Sequence, residues 1–554
     1  MHRRRLLAGV AVPVCLTLAG CAAAGGVAGA GPGTTPHRGG TVNVLAGTDF
    51  SHLDPAAGWD GGVNNFYRLI YRTLTTYGTG RNATTVVPDL ATSLGTPSDG
   101  GRTWTYHLKK GLRFATGAPI TSRDVKFGAE RAWDPDVGIG SPYAKQLIAA
   151  PKDYRGPYLS GDLDTIDTPD PRTIVFHLVK PFPEFPSALA QPTITPFPPG
   201  TGAKHAFDTR PISSGPYRVV EYQRGAELRL ARNRYWKRST DPVRTAYPDS
   251  YVWHFGIDAA TLDERMLADQ GADANAVAGT IQASSVARIQ DPRIKHRTLS
   301  GPTGCTTYLS LNTTKKPLDD VRVRRAVNEA VDKTSIVAAF GGHRLAQEAT
   351  SVEPPTTPGR QAYDLYPYRP NAARTLLAEA GLRHGFTMTL DARADPKQRD
   401  TAVAIQAALQ KIGITVKINT IDSATFYEVT GTPSQQHDAA LTGWCPDWQG
   451  GRTFLTPLFD GRQIYPKGNQ NLAQLNDPRI NRRLDEIGAM TDVDAANERY
   501  GELDEQIMRQ APIVPLVYEK YIFVVGSNMA GVHLSPSFSG GIDFVTLGLQ
   551  DPKK

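Results

Sequence analysis

One short segment in the second half of the chain constrains the fold more than any other, because helical and extended patterns alternate in it over short links. A helix is predicted from Asn371 to Gly381, and a strand with alternating apolar residues follows around Met388. A second predicted helix stops at Gly413 and leads into a strand over residues 414–418. This order favours a parallel sheet covered by helices, since parallel neighbours need crossover connections. We therefore predict an α/β fold.

Two segments in the first half share the same strand-like pattern. Their alternating apolar residues are Trp104, Tyr106 and Leu108 in one run and Ile174, Phe176 and Leu178 in the other. Alternation with a period of two predicts half-buried antiparallel strands. Between the two runs, Thr121 or Ser122 can cap a helix. The proline-rich stretch 181–200 is predicted to lack regular structure and to mark a subdomain boundary.

Near the end of the chain, two apolar runs at 512–517 and 521–525 predict buried or crossover strands. An earlier helix, capped by Asp319 or Asp320, carries apolar residues at helical spacing from Val323 to Val331.

The N-terminus predicts an exported, lipid-anchored protein. A basic run at 3–5 precedes a short apolar run that ends in Leu18-Ala19-Gly20-Cys21, similar to a bacterial lipobox. We predict a signal peptide at 1–20, lipidation of Cys21 and a flexible tether at 21–38. An ordinary signal peptide with an accidental cysteine is the alternative, and the export route stays open between the general and twin-arginine pathways.

Composition excludes several function classes. Without the three arginines of residues 1–20, which hold no acidic residue, 58 basic and 54 acidic residues leave a formal charge of +4. No basic stripe interleaved with aromatic residues occurs, so no nucleic-acid partner is predicted. The chain also lacks a nucleophile elbow, a paired-histidine metal helix and a phosphate loop, and its histidines have no ligand spacing. We predict no enzyme activity, no cofactor, no catalytic residue and no metal site.

The cysteines point to one disulfide. Cys15 leaves with the signal peptide and Cys21 is lipidated, which leaves Cys305 and Cys445. Outside the cytoplasm such a pair favours a bridge, with two separate buried thiols as the alternative.

Several motifs, in their order and spacing, carry a family resemblance. They are Pro88-Asp89-Leu90-Ala91, Asp99 to Phe114, Thr116 to Val125, Ser214-Gly215-Pro216-Tyr217, Asn233-Arg234-Tyr235-Trp236, Leu311-Asn312 with Asp320 to Arg324, and Ala511 to Leu516. Together they resemble the bacterial extracellular solute-binding proteins of family 5, the peptide and nickel importer class. The resemblance implies a monomeric receptor outside the cytoplasm, held on the outer face of the cytoplasmic membrane by its lipid, that binds a short peptide and serves the permease and ATPase subunits of an ABC importer.

The same resemblance implies a two-lobed fold of the periplasmic-binding-protein type, with hinged lobes, crossover strands and an extra subdomain inserted in the N-terminal lobe. The expected boundaries are 39–82, 205–300 and 520–554 for lobe I, 83–204 for the inserted subdomain and 301–519 for lobe II.

The segment 443–448, Gly-Trp-Cys-Pro-Asp-Trp, is the predicted ligand anchor. The resemblance implies that Asp447 binds the ligand's α-ammonium and that Cys445 pairs with Cys305. We expect Trp444 and Trp448 to form pocket walls, and Trp59 to face the cleft from the first lobe. The following residues, Gln449-Gly450-Gly451, depart from the family pattern, so the pocket floor is not predicted.

No motif identifies a base for the peptide carboxylate; Arg360, His343 and Arg344 are candidates. A receptor for a nickel chelate, a sugar or an opine, and a secreted hydrolase, are the alternative functions.

Overall fold

The computed structural model describes residues 35–59, 61–423 and 425–554. The predicted signal peptide, Cys21 and most of the tether lie outside these residues. Among the helices of the described ranges, none combines the length and apolar character needed to cross a membrane.

The first sheet is mixed and has five strands. In spatial order they are Ala276–Ala278, Thr41–Leu45, Ser250–His254, Glu227–Arg232 and Tyr217–Gln223. The strand Thr41–Leu45 pairs in parallel with both of its neighbours, whereas the other pairs are antiparallel. Its core contains Val42, Phe66 and Trp253, all fully buried, so this sheet is covered by the helix Gly61–Ile70.

The second sheet is mixed and has six strands. In spatial order they are Ala346–Glu348, Ile513–Val524, Thr298–Leu311, Ala439–Trp444, Thr387–Arg393 and Thr415–Ile421. The last two pair in parallel, which confirms the arrangement predicted from the alternating segment. The helix Pro396–Gln410 makes the crossover between these two strands, and the helix Pro370–Glu379 precedes the first of them. Their buried Leu377 and Ile405 pack in one core with the sheet.

Two long antiparallel strands, Thr298–Leu311 and Ile513–Val524, connect the two sheets. Their outer ends, at Leu299 and Phe523, pack in the first core, whereas Leu309 belongs to the second. The two apolar runs at 512–517 and 521–525 thus form one strand, not two.

A third sheet is antiparallel and has the order Thr96–Ser98, Thr103–His107, Thr173–His177 and Ile166–Asp170. The two strands with the shared sequence pattern pair with each other, with Trp104 opposite Phe176. Both side chains lie in a separate core formed by residues between Leu74 and Ile194 together with Trp448 and Phe538. The assignment of 83–204 as an inserted subdomain stays a prediction.

Three short strand pairs complete the sheets: Thr75–Tyr77 with Val86–Pro88, Met529–Ala530 with Gly548–Leu549, and Leu534–Ser535 with Gly541–Ile542. The remaining α-helices are Ser122–Glu130, Tyr143–Leu147, Phe185–Ala188, Ala259–Ala268, Pro292–Lys295, Val321–Ala330, Lys333–Ala339, Phe426–Thr430, Arg452–Phe459, Pro478–Gly488 and Val493–Met508. The predicted caps are present: Thr121 with Asp124 forms a capping box, and Asp320 accepts from the backbone of Arg322.

The prediction for the proline-rich stretch is partly wrong. It contains the one-turn helix Phe185–Ala188, because Pro186 lies in the first turn, where no backbone N–H is needed. Residues 192–194 form a short 3₁₀ turn.

Candidate functional site

A cavity of about 500 Å³ lies between the second-sheet half of the chain and the segment around the third sheet. Its walls come from both sides. Its lining includes Trp59, Tyr143, Lys180, Trp444, Asp447, Trp448 and Arg452. A volume of this size is typical of small-molecule binding sites.

The segment that carries Asp447 leaves the end of the strand Ala439–Trp444. Trp444 is paired with Thr306 on the neighbouring long strand. Just beyond this pair, Cys305 and Cys445 form a disulfide with their Cα atoms 4.2 Å apart, which confirms the predicted bridge. The bridge fixes the chain two residues before Asp447 and so restricts where the carboxylate can lie.

Asp447 is half-buried on the cavity wall and accepts two hydrogen bonds at its carboxylate. The phenol of Tyr143 donates to Oδ2, and the side chain of Trp59 donates a second bond. Burial raises the pKa of Asp447 to about 6, although both hydrogen bonds act to lower it. The carboxylate is therefore partly desolvated and its charge is only partly balanced, which suits it to bind a cation.

Trp444 and Trp448 both line the cavity, and each indole donates a hydrogen bond. Trp448 is almost completely buried in the third-sheet core, where its Nε1 donates to Glu184 Oε1 at 3.0 Å. Trp444 is half-buried on the wall, and its Nε1 donates to the Thr453 carbonyl at 2.6 Å. The hydrogen-bond donors to the Asp447 carboxylate are therefore the phenol of Tyr143 and the side chain of Trp59, while Trp444 and Trp448 contribute to the cavity wall.

Trp59 lies on the cavity wall beside Asp447 and its side chain is 38% exposed. Tyr143 was not predicted as a site residue. It lies 304 positions from Asp447 in sequence, and no local pattern marks it.

The two glycines after Trp448 allow a close crossing of helix Val493–Met508. A Cβ on Gly451 would lie 2.4 Å from Glu353 Oε1 and from the Cβ of Tyr500. The Gly451 N–H donates to Asn497 Oδ1 at 3.2 Å. The departure from the family pattern at this point is therefore a packing requirement.

Of the residues that the structure describes, two with basic side chains line the cavity, and neither is one of the three candidates from sequence. Lys180 is exposed, whereas the guanidinium of Arg452 lies 3.5 Å from Glu184 and 4.3 Å from the Phe182 ring centroid. Lys180 is thus the less constrained of the two cations.

The candidate bases from sequence lie elsewhere. Arg360 donates to the Glu353 carbonyl and to Tyr518, and His343 and Arg344 are exposed. None of them is among the residues that line the cavity.

The site as a whole has a carboxylate with aromatic hydrogen-bond donors and a separate cation within one cavity. This arrangement can hold a small molecule that carries an ammonium group and an anionic group. Charge-assisted hydrogen bonds of this kind are short and about twice as strong as neutral ones.

Comparisons with known proteins identify relatives that are solute-binding proteins. The family described as bacterial extracellular solute-binding proteins, family 5 Middle, matches residues 85–466. Glutathione-binding protein GsiB of Salmonella choleraesuis is 26% identical over 514 residues, which cover 91% of this chain and 93% of that protein.

Solved structures share the fold over almost the whole chain. Clavulanic acid biosynthesis oligopeptide binding protein 2 has a TM-score of 0.89 and 35% identity, covering 95% of this chain and 98% of that one. The ABC transporter-associated periplasmic binding protein DppA from Helicobacter pylori, in complex with peptide STSA, has a TM-score of 0.73 and 25% identity, covering 93% and 99%.

These matches confirm the predicted two-lobed α/β fold and the prediction that the chain is not an enzyme, because the relatives are named as binding proteins. The match to the family extends over more than half of the chain. This chain belongs to the bacterial extracellular solute-binding proteins of family 5.

Proposed function

We propose that this chain is the substrate-binding lipoprotein of an ABC importer, which captures short peptides between two lobes and delivers them to the permease. The position of Asp447 carries the proposal. Its partly desolvated carboxylate lines the cavity beside Tyr143 and Trp59, where it can receive the α-ammonium of a peptide.

Lys180 and Arg452 supply the opposite charge in the same cavity. A peptide that lies across the cavity would place its carboxylate near Lys180, which has room to bind because it is exposed. Trp444 and Trp59 would contact side chains of the ligand, and Trp448 would support the wall from the core.

We assign residues 39–82, 205–300 and 520–554 to lobe I, 83–204 to an inserted subdomain and 301–519 to lobe II. The described conformation is then a closed one, since contacts cross the cavity. Gln191 Nε2 donates to the Asp447 carbonyl at 2.5 Å, and Trp448 bonds Glu184. Opening would break these contacts while the strands Thr298–Leu311 and Ile513–Val524 act as the hinge.

The names of relatives support a peptide ligand. GsiB is a glutathione-binding protein, and DppA is in complex with the peptide STSA. Lipidation of Cys21 would anchor the receptor to the outer face of the cytoplasmic membrane, where a monomer could reach its permease.

The test identifies the natural solute and then measures binding. Native mass spectrometry of the protein, purified without denaturation, should detect a bound peptide. Calorimetry should then give one-to-one binding of that peptide without its turnover. A bound opine, sugar or nickel chelate would replace the peptide assignment, and hydrolysis of the peptide would contradict the receptor role.

A further inference from the structure

Two histidines and an aspartate come together outside the cavity, although they are far apart in sequence. His52 lies in the loop after strand Thr41–Leu45, whereas His205 and Asp208 follow the proline-rich stretch, and His52 is 156 positions from Asp208. The donor atoms of the three side chains all lie within 4.8 Å of one another. Sequence spacing gave no sign of this cluster.

The distances within the cluster suit one shared ion. Nδ1 of His52 lies 2.8 Å from Asp208 Oδ2, and Nδ1 of His205 lies 3.6 Å from the same oxygen. Donor atoms bound to one tetrahedral zinc ion lie about 3.3 Å apart, given metal–ligand distances of about 2.0–2.2 Å. Small side-chain rotations would therefore place all three donors around a metal.

The aspartate is held in position for this task. Its Oδ1 accepts the backbone N–H groups of Leu53 and Asp54 at 2.8 and 3.1 Å, which turns Oδ2 toward the histidines. The loop on the other side is held by Tyr67, whose hydroxyl donates to the His52 carbonyl at 2.8 Å. Such outer hydrogen bonds orient the ligands of protein metal sites.

The solvent exposure of the three side chains shows that a bound ion would be open to solvent on one side. The side chain of Asp208 is 9% exposed, that of His52 24% and that of His205 54%. An ion held here would have three protein ligands and a remaining position facing solvent, open to water or a small anion. Two imidazoles and one carboxylate suit zinc and neighbouring transition metals better than calcium or magnesium, which prefer oxygen ligands.

We propose that His52, His205 and Asp208 form a binding site for a divalent transition metal, separate from the cavity of Asp447. Metal binding replaces the proton that His52 Nδ1 shares with Asp208 Oδ2, and that proton moves to Nε2 of the ring or to solvent. The ion then ties the loop at 52–54 to the segment 205–208.

The test uses zinc chloride with the full mature chain, without a polyhistidine tag, after dialysis against a chelator. Calorimetry should show saturable one-to-one binding, and cobalt chloride should give the visible absorption of a tetrahedral site. His205→Ala should weaken zinc binding by at least about tenfold, because even residues outside the ligand shell change metal affinity by about 10–100-fold. His205 is exposed, so this variant should fold normally.

A second variant, His52→Gln, should weaken zinc binding to the same extent. His384→Ala is the matched control because His384 is exposed in lobe II, and it should leave zinc binding unchanged. Millimolar calcium or magnesium should not displace zinc. The proposal is overturned if zinc shows no saturable binding in the micromolar range, or if it binds the His52 and His205 variants as tightly as the wild type.

Discussion

Asp447→Asn removes the charge of the proposed anchor while keeping its size. The amide oxygen of asparagine can still accept a hydrogen bond from Tyr143 or from Trp59, the two donors to the native carboxylate. The cavity walls and the nearby disulfide are unchanged, so the variant isolates the contribution of the charge to binding.

The magnitude follows from the contact that is lost. A hydrogen bond to a charged group contributes about 1.5–3 kcal/mol, so the dissociation constant for a peptide with a free N-terminus should rise about 10- to 150-fold. Asp400→Asn is the control, since that carboxylate is exposed on the helix Pro396–Gln410. It should leave the affinity unchanged.

The pH dependence gives an independent check on the same group. Because burial raises the pKa of Asp447 to about 6, the free carboxylate is mostly ionised at pH 7 and mostly protonated at pH 5. The α-ammonium of a peptide stays charged in this range, since it titrates near about 7.7–8.0. A proton and the ligand therefore compete for one carboxylate, and wild-type affinity should fall about tenfold from pH 7 to pH 5.

Calorimetry of both variants and the wild type at pH 5, 6 and 7 would measure these effects. The Asp447→Asn protein should bind weakly with no such pH dependence. If it binds a free-amine peptide as tightly as the wild type at pH 7, the carboxylate does not hold the ligand's ammonium and the reasoning is refuted.

The disulfide, the cavity cation and the N-terminal cysteine give further predictions. Replacing Cys305 and Cys445 together by serine opens a 140-residue loop and should lower the melting temperature. The free energy of unfolding should fall by at most about 4–5 kcal/mol. A reductant should lower the melting temperature of the wild type but not that of the variant. Lys180→Met should weaken binding of a peptide acid more than that of its C-terminal amide, and an equal loss would argue against a carboxylate contact. Cys21→Ala should abolish palmitate incorporation and globomycin-sensitive processing, and continued incorporation would exclude Cys21 as the lipidated residue.

The fold of the second half could be predicted because its signals are local. The helix Pro370–Glu379 and strand Thr387–Arg393 follow from apolar spacing and glycine stops within a few residues. The alternation also predicts that the strands holding Trp104 and Phe176 are half-buried and antiparallel, and the two strands pair so that their apolar side chains lie side by side on one face.

The partners within the site could not be predicted. Asp447 and Cys445 could be selected from the sequence because they lie in one motif, whereas Tyr143 reaches Asp447 only through tertiary folding, from 304 positions away in the chain. The burial of Trp448 could not be predicted for the same reason, since the core that contains it is built mostly from residues before 195. The His52, His205 and Asp208 cluster was missed because tertiary folding alone brings its members together.

The most direct measurement compares one peptide in two forms. Calorimetry should be run on the wild-type protein with the co-purified peptide and with the same peptide acetylated at its N-terminus. Acetylation removes the ammonium and leaves the rest of the ligand intact, so affinity should fall by at least about tenfold, or 1.4 kcal/mol. Equal affinity for the two forms would contradict the claim that the cavity holds a peptide by its N-terminal ammonium.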